Sequence, residues 1–441
     1  MFLFHLLLSN LFIYINSETL FVFEHCRHGA RGMKELKNDT DIFKQKWIGS
    51  EELSAVGLRQ HYLLGSLMRN QYSQLLDWNN YNTKDIFVYS TPTNRTIMSA
   101  RAHLFGMFNN DNIKKLNKNQ NEKSVPNYLR NKSKIINFIN KTLNNSYILP
   151  NKIPSEIPIH IIERKEKLFQ FEKDDNCIGI EKQRDKNKKK KSVKNAVESF
   201  NEKYGQKLVK YLGEKKEDYF KDLKNVQAIA LAFIINKIDG RDLSEFQNET
   251  GFDLEKFYND SMKILVQKSL EIQSGDDEKL IALASSSVLL RFILSFIDKV
   301  VENDKKQKKI HDVPKYFLLS AHDTTIVMSS DLLNILFKSE KYFPSFATSQ
   351  VYELNKENNE YYINFIFNGE KLKTVKYEYF KKTIENEAWT LEETGYFCGF
   401  YKKIFNGWKT LTIIFSILVL LAFILFIIIC LKRKKELMTD F

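Results

Sequence analysis

The sequence predicts an α/β fold, a doubly wound and mostly parallel sheet flanked by helices, followed by one C-terminal transmembrane helix. Three observations carry this reading. Short apolar runs at 19–26, 85–90 and 315–321 each end in a polar turn. Helical spacing follows each turn, which is the alternation expected of βαβ units. Far downstream, 22 residues from 410 to 431 carry no charge. Composition agrees with a folded chain: 441 residues, 43% hydrophobic, with only 16 Gly and 7 Pro, exclude wholesale disorder, collagen and a small disulfide scaffold.

Residues 1–17 read as a signal peptide, because their apolar run is too short to span a bilayer and closes at Asn16 and Ser17. The first strand, 19–26, runs into Arg27-His28-Gly29-Ala30-Arg31. Ser54 is placed to cap a helix over 55–72. The second strand, 85–90, runs into Thr91-Pro92-Thr93-Asn94-Arg95, with Thr91 as cap and Pro92 at the first helical position. The third, 315–321, delivers His322 and Asp323 to a helix over 324–336. Residues 182–195 are a Lys-rich run with Val193 as its one apolar side chain, read as a solvated loop.

The segment 410–431 is long enough to cross a roughly 30 Å hydrocarbon core at about 1.5 Å per residue. Lys432, Arg433, Lys434 and Lys435 follow it, so the tail 432–441 is expected in the cytosol and the bulk of the chain in a lumen or outside the cell. Asn38, Asn131, Asn140, Asn144, Asn248 and Asn259 each open an Asn-x-Ser/Thr triplet, in keeping with that side of the membrane. Of four cysteines, Cys430 falls in the membrane segment and Cys26 in an apolar strand, where it is read as a buried thiol. Cys177 and Cys398 are left to pair in an oxidising compartment. The surplus of 67 Lys+Arg over 54 Asp+Glu, +13, is spread over the whole chain, so no nucleic-acid partner is expected.

In open parallel sheets ligands sit beyond the carboxyl ends of the strands. Three distant turns can therefore bring Arg27, His28, Arg31, Arg95, His322 and Asp323 to one crevice. Taken singly, a His-Asp pair or an Arg-x-x-x-Arg is an ordinary structural feature, and convergence is what separates the two readings. Three guanidinium forks match the oxygens of a phosphoryl group, and a helix N-terminus adds a favourable dipole. Neither a Walker loop nor an Asp/Glu cluster for Mg²⁺ accompanies them, so no metal or other cofactor is expected and the arginines take the equatorial charge. A histidine there can act as nucleophile and an aspartate as proton donor. His25, His61 and His103 are read as structural.

These motifs resemble the histidine acid phosphatases, in the branch that includes the lysosomal and prostatic enzymes. The likeness rests on Arg27 to Arg31, on Ser320 to Thr325, on the helix beginning near Glu52, and on Ser90 to Ala100; 351–354 and 361–369 resemble a terminal strand pair of the family. The resemblance implies His28 as nucleophile, Asp323 as proton donor, and Arg27, Arg31, Arg95 and His322 as phosphate-binding residues. It supports the Cys177–Cys398 pairing and implies a smaller helical cap inserted in the α/β core, with the core over about 18–110 and 280–400 and the cap over about 111–279. Met33, Pro92 and Asn94 depart from the family pattern. Asn94 opens a further formal glycosylation triplet, expected to stay unused because a glycan there blocks the crevice.

The expected activity is hydrolysis of small-molecule phosphate monoesters through a phosphohistidine. The arginines should hold the pKa of His28 below 6.5, and facing phosphate oxygens should raise that of Asp323. A phytase or inositol-polyphosphate phosphatase using the same site is the rival within enzymes. An inactive surface glycoprotein that binds phosphorylated ligands is the rival of another class. The expected placement is a single-pass type I membrane protein of the lysosome, vacuole or plasma membrane, with a homodimer left open.

Overall fold

The computed structural model describes residues 17–33, 51–78, 82–108, 157–162, 177–213, 219–273, 278–307, 313–341, 344–400, 412 and 414–429. The expected signal segment before Ser17, Asn38, Asn131, Asn140, Asn144, Cys430 and the tail 432–441 lie outside them.

Seven strands form one sheet in the order β3-β2-β4-β1-β5-β6-β7. They are β1 (Ser17–Arg27), β2 (Ile86–Ser90), β3 (His160–Ile161), β4 (Tyr316–Ala321), β5 (Ser349–Glu357), β6 (Glu360–Phe367) and β7 (Glu370–Lys376). β1 pairs in parallel with β4, as β2 does with β4 and β3. β5, β6 and β7 join antiparallel. The expectation of a mostly parallel sheet is therefore corrected: three of its six pairings are parallel. For two of the three antiparallel pairings the reason is local, since β5 to β7 are linked by tight turns at Asn358-Asn359 and Asn368-Gly369, all with positive φ, and such turns allow only hairpins.

Period-two alternation along β1 divides the interior. Phe21 and Phe23 face a core shared with Leu290, Ile293 and Ile297 of helix Glu278–Lys305. Val22 and Cys26 face the other side, against Met68 of α1 (Ala55–Gln71) and Leu104 of α2 (Asn94–Met107). Helix Glu278–Lys305 is long and apolar enough to cross a membrane, yet 67% of its most apolar window is buried, so it is a core helix. A further apolar helix, Ile414–Ile429, has exposed side chains along its length.

The helices between 178 and 273 contain a separate aromatic core that includes Phe200, Phe220, Phe233, Phe246 and Phe257. Here the Lys-rich run departs from expectation: 182–195 is not a loop but lies in two helices, Ile178–Lys188 and Lys191–Phe200. Lys, Arg and Gln are good helix formers. Val193, Val197 and Phe200, spaced by four and three, bury one stripe while the lysines stay in water. The stripe extends beyond 195, which is why the run alone looks featureless. Cys177 and Cys398 form the disulfide, tying the first of these helices to helix Leu391–Cys398.

α1 begins as expected, with Ser54 accepting the Gly57 N–H. α2 does not: its cap is Thr93 rather than Thr91, and Pro92 stays in the preceding turn. Thr91 is held instead by the sheet, its N–H donating to Ser320 O. Where the two helices cross, a Cβ on Gly106 would come within 1.9 Å of Tyr62 O, and one on Gly65 within 2.0 Å of His103 O. Gly106→Ala sets a helix-propensity gain of about 1 kcal/mol against overpacking that costs about 1–3 kcal/mol, here at the severe end because the obstacle is backbone. We expect net destabilisation, read as a lower urea midpoint; an unchanged midpoint would show that the crossing can open freely.

Candidate active site

The carboxyl ends of β1, β2 and β4 are adjacent, so the turns that leave them meet. Backbone hydrogen bonds fix the exit of β1: Arg27 N–H donates to Thr348 O, His28 N–H to Ala321 O, and Ala347 N–H to His28 O. Space is limited behind this turn, where a Cβ on Gly29 would sit 2.4 Å from Gly57 O. Ser99 Oγ accepts the Gly29 N–H and Gln60 Oε1 the Ala30 N–H, joining the turn to α2 and α1.

His28 is buried, 3% exposed. Its Nδ1 lies 2.8 Å from Gly29 O, and a carbonyl can only accept, so Nδ1 carries the hydrogen and Nε2 keeps its lone pair. Burial, and next the Arg27 guanidinium, hold its pKa well below 6.5, with Arg95 and His322 adding and the Gly29 carbonyl opposing. The expected direction holds, but burial outweighs the arginines as its cause.

Arg27 is fixed on three sides. It donates to Pro344 O at 2.8 Å, pairs with Asp323 Oδ2 at 2.7 Å, and lies 4.2 Å over the Phe346 ring. Arg31 donates to Gly32 O at 2.9 Å and pairs with Glu51 at 3.3 Å. Burial lowers its pKa to about 10, against the pull of Glu51, so it remains a cation. Arg95, in the first turn of α2, reaches His322 Nδ1 at 3.5 Å. Thr91 Oγ1 lies 3.0 Å from His322 Nε2 and gives its own hydrogen to Thr96 Oγ1, so Nε2–H of His322 is the donor to Thr91. The rings of His28 and His322 stand 5.6 Å apart, edge to face.

Asp323 opens helix Asp323–Phe337 and its side chain is 37% exposed. Burial pushes its pKa up, but Arg27, His322, the Thr324 N–H and Arg31 together hold it below the usual value. This reverses the expected upward shift: in the free protein the carboxylate faces a guanidinium, not an anion.

The six residues singled out from the sequence thus come together at the carboxyl ends of β1, β2 and β4, where Arg27, Arg95 and His322 act on His28, and Arg27, His322 and Arg31 on Asp323. Such a cluster of guanidiniums fits an anion with several oxygens. Phe346 and Pro344 were not foreseen, since the segment before β5 has no periodic pattern. Thr91, read only as a cap, orients His322, and Glu51, unmarked by any motif, sits on Arg31. His61 and His103 lie behind the crevice: His61 Nε2 donates to Arg27 O at 2.9 Å and His103 Nε2 is 3.2 Å from Glu24 Oε2.

The family profile described as histidine phosphatase superfamily (branch 2) matches residues 21–368. Among curated proteins, the chain is 34% identical over 101 residues to the lysosomal acid phosphatase of Bos taurus, covering 23% of this chain and 24% of that one. It is 37% identical over 83 residues to the prostatic acid phosphatase of Rattus norvegicus, covering 19% and 22%. These alignments thus span about a quarter of the relatives' length. Among solved structures, the phytase of Klebsiella sp. ASR1 superposes with a TM-score of 0.54 at 17% identity, over 80% of this chain and 82% of that one. The phytase of D. castellii gives 0.54 at 14%, over 87% and 82%. At such identities the superpositions speak for the fold, whereas the profile spans most of the chain and both ends of the crevice: the chain belongs to branch 2 of the histidine phosphatase superfamily.

Proposed function

We propose that this protein hydrolyses phosphate monoesters through a phosphohistidine formed on His28, with Asp323 as proton donor and Arg27, Arg31, Arg95 and His322 as the phosphate-binding set. One observation carries the reading: the Gly29 carbonyl leaves the Nε2 lone pair free on a neutral His28 that lies in the field of the Arg27 and Arg95 guanidiniums. In the first step Nε2 attacks phosphorus, the P–O ester bond breaks, and the departing oxygen takes a proton at Asp323. In the second, water attacks phosphorus, the N–P bond breaks, and the carboxylate accepts the water proton. The arginines stabilise the equatorial oxygens throughout. The likeness to lysosomal and prostatic acid phosphatases supports this activity.

The domain reading belongs to the same proposal. Residues 18–409 form the catalytic part, lumenal or extracellular, with the helical cap over 111–279. Residues 410–431 cross the membrane and 432–441 lie in the cytosol, in a lysosome-type compartment or at the cell surface. Support comes from the exposed apolar helix Ile414–Ile429, the basic residues after it, and exposed Asn248 and Asn259 at two glycosylation triplets.

Simple monoesters fit the crevice better than inositol polyphosphates. Glu51 on Arg31, and Glu52, which accepts from Asn94 at 2.9 Å beside Arg95, place two carboxylates on the rim, where a second phosphoryl group would meet them. Glu51→Gln should raise kcat/KM for inositol hexakisphosphate relative to an aryl phosphate by roughly three- to tenfold, the effect of one like charge at close range in a partly hydrated site. A constant ratio would remove Glu51 from the determinants of choice.

The roles can be separated with the full chain and no added metal. His28→Ala should abolish turnover on every ester. Asp323→Asn should slow alkyl phosphates at least about a hundredfold more than an activated aryl phosphate, whose leaving group hardly needs a proton. Equal losses on both esters would sink the donor assignment, and phosphate binding without any hydrolysis by the native protein would make it a phospholigand receptor.

The depressed pKa of Asp323 also sets the pH profile. In the free enzyme that carboxyl is already ionised at mildly acid pH, so the proton it passes on must arrive with the substrate monoanion, whose own second pKa is about 6. The alkaline fall of kcat/KM should therefore follow the second pKa of the ester and move with it between two substrates. A limb that stays at one pH for both would place the titrating proton on the protein.

A further inference from the structure

Directly behind the crevice, Cys26 of β1, His61 of α1 and His103 of α2 bring one ligand atom each to within 4.8 Å of one another. Cys26 is a free thiol and all three side chains are fully buried. Each imidazole has one nitrogen turned to a protein acceptor and another with no partner. His61 Nε2 donates to Arg27 O, and Nδ1 has none; His103 Nε2 faces Glu24 Oε2 at 3.2 Å, and neither His103 nitrogen has a hydrogen-bond partner. Buried polar atoms without partners cost about 1–3 kcal/mol each, so three elements converging on such atoms call for an explanation.

We propose that Cys26, His61 and His103 bind one zinc ion as a structural staple of β1, α1 and α2. One thiolate and two imidazoles are three of the four ligands that zinc takes, and a water enclosed with the ion would be the fourth. A backbone carbonyl behind one imidazole and a carboxylate behind the other are the supports that orient ligating histidines. Charge balance agrees: a divalent ion, the Cys26 thiolate and the buried Glu24 carboxylate sum to zero in a site closed to bulk solvent. Glu24 is itself held by the hydroxyls of Tyr316 and Ser349. The site is closed, so the ion enters during folding and takes no part in the reaction. It lies under the turn that carries Arg27 and His28, and fastens that turn to the helix that carries Arg95.

The test uses the full chain with Cys430→Ala, expressed in zinc-supplemented medium, purified in detergent and washed with EDTA. Cys177 and Cys398 are oxidised, so Cys26 is then the one thiolate on offer. We expect about one zinc per chain by plasma mass spectrometry, and a zinc K-edge spectrum with one sulfur at about 2.3 Å and imidazole nitrogen at about 2.0–2.1 Å. Adding Cys26→Ser should remove at least about nine-tenths of that zinc, because it takes away the one thiolate ligand. Less than about half an equivalent in the parent chain, or zinc with no sulfur ligand, overturns the proposal. Should Cys26→Ser not fold, the metal content and edge spectrum of the parent decide.

Discussion

Keeping three guanidiniums together without an anion between them is the constraint on which the rest of the crevice depends. Like charges at such range repel by several kcal/mol where water is scarce. Each cation is therefore anchored: Arg27 by Asp323, Pro344 O and the face of Phe346, Arg31 by Glu51 and Gly32 O, Arg95 by His322. Burial works against all of this, since it disfavours the charged forms of Arg27 and Arg31. The arrangement stands because the anchors come from rigid parts: strand ends, the first turn of a helix, and a backbone carbonyl. An arriving anion relieves the repulsion, which is why the same geometry that strains the free protein would bind a phosphoryl group tightly.

The parallel half of the sheet makes this possible. β1 and β2 both pair with β4 in the same direction, so Arg27, Thr91 and His322 leave the sheet at one edge of the layer. That much was legible in the sequence, because each strand is a continuous apolar run that stops at a charged turn. The antiparallel half was half-legible: its strand pair could be seen, but the share of antiparallel pairing depends on hairpin turns read only once the register is known. The Lys-rich helices escaped for a different reason. A buried stripe of Val193, Val197 and Phe200 is sparse, and helix formation there draws on packing against the aromatic core of the helices between 178 and 273.

At the crevice, residue identity was legible and residue state was not. Which side chains converge followed from strand ends, whereas the tautomer of His28 depends on a carbonyl one residue away and the charge of Asp323 on a guanidinium 296 positions earlier in the chain. Phe346 could not be found from its surroundings, although it closes the Arg27 face and stands 5.8 Å from the His28 ring. Pairwise geometry of this kind carries no local sequence signal.

β1 itself shows why the turn that follows it can be held so firmly. Glu24, His25 and Cys26 precede it, a polar stretch where an aliphatic run would be more stable by transfer energy alone. Burying a carboxylate costs several kcal/mol unless it is fully bonded. Here the tyrosine and serine hydroxyls on neighbouring strands bond Glu24 and an imidazole on α2 lies 3.2 Å from it, so one register of β1 against β4, β5 and α2 satisfies it. A slip by one residue would bring Phe23 or His25 to these partners and leave the carboxylate against the apolar core of the opposite face. The polar stretch thus converts a loss of generic stability into a fixed position for the turn that follows, and with it a fixed distance from Nε2 of His28 to the arginines around it.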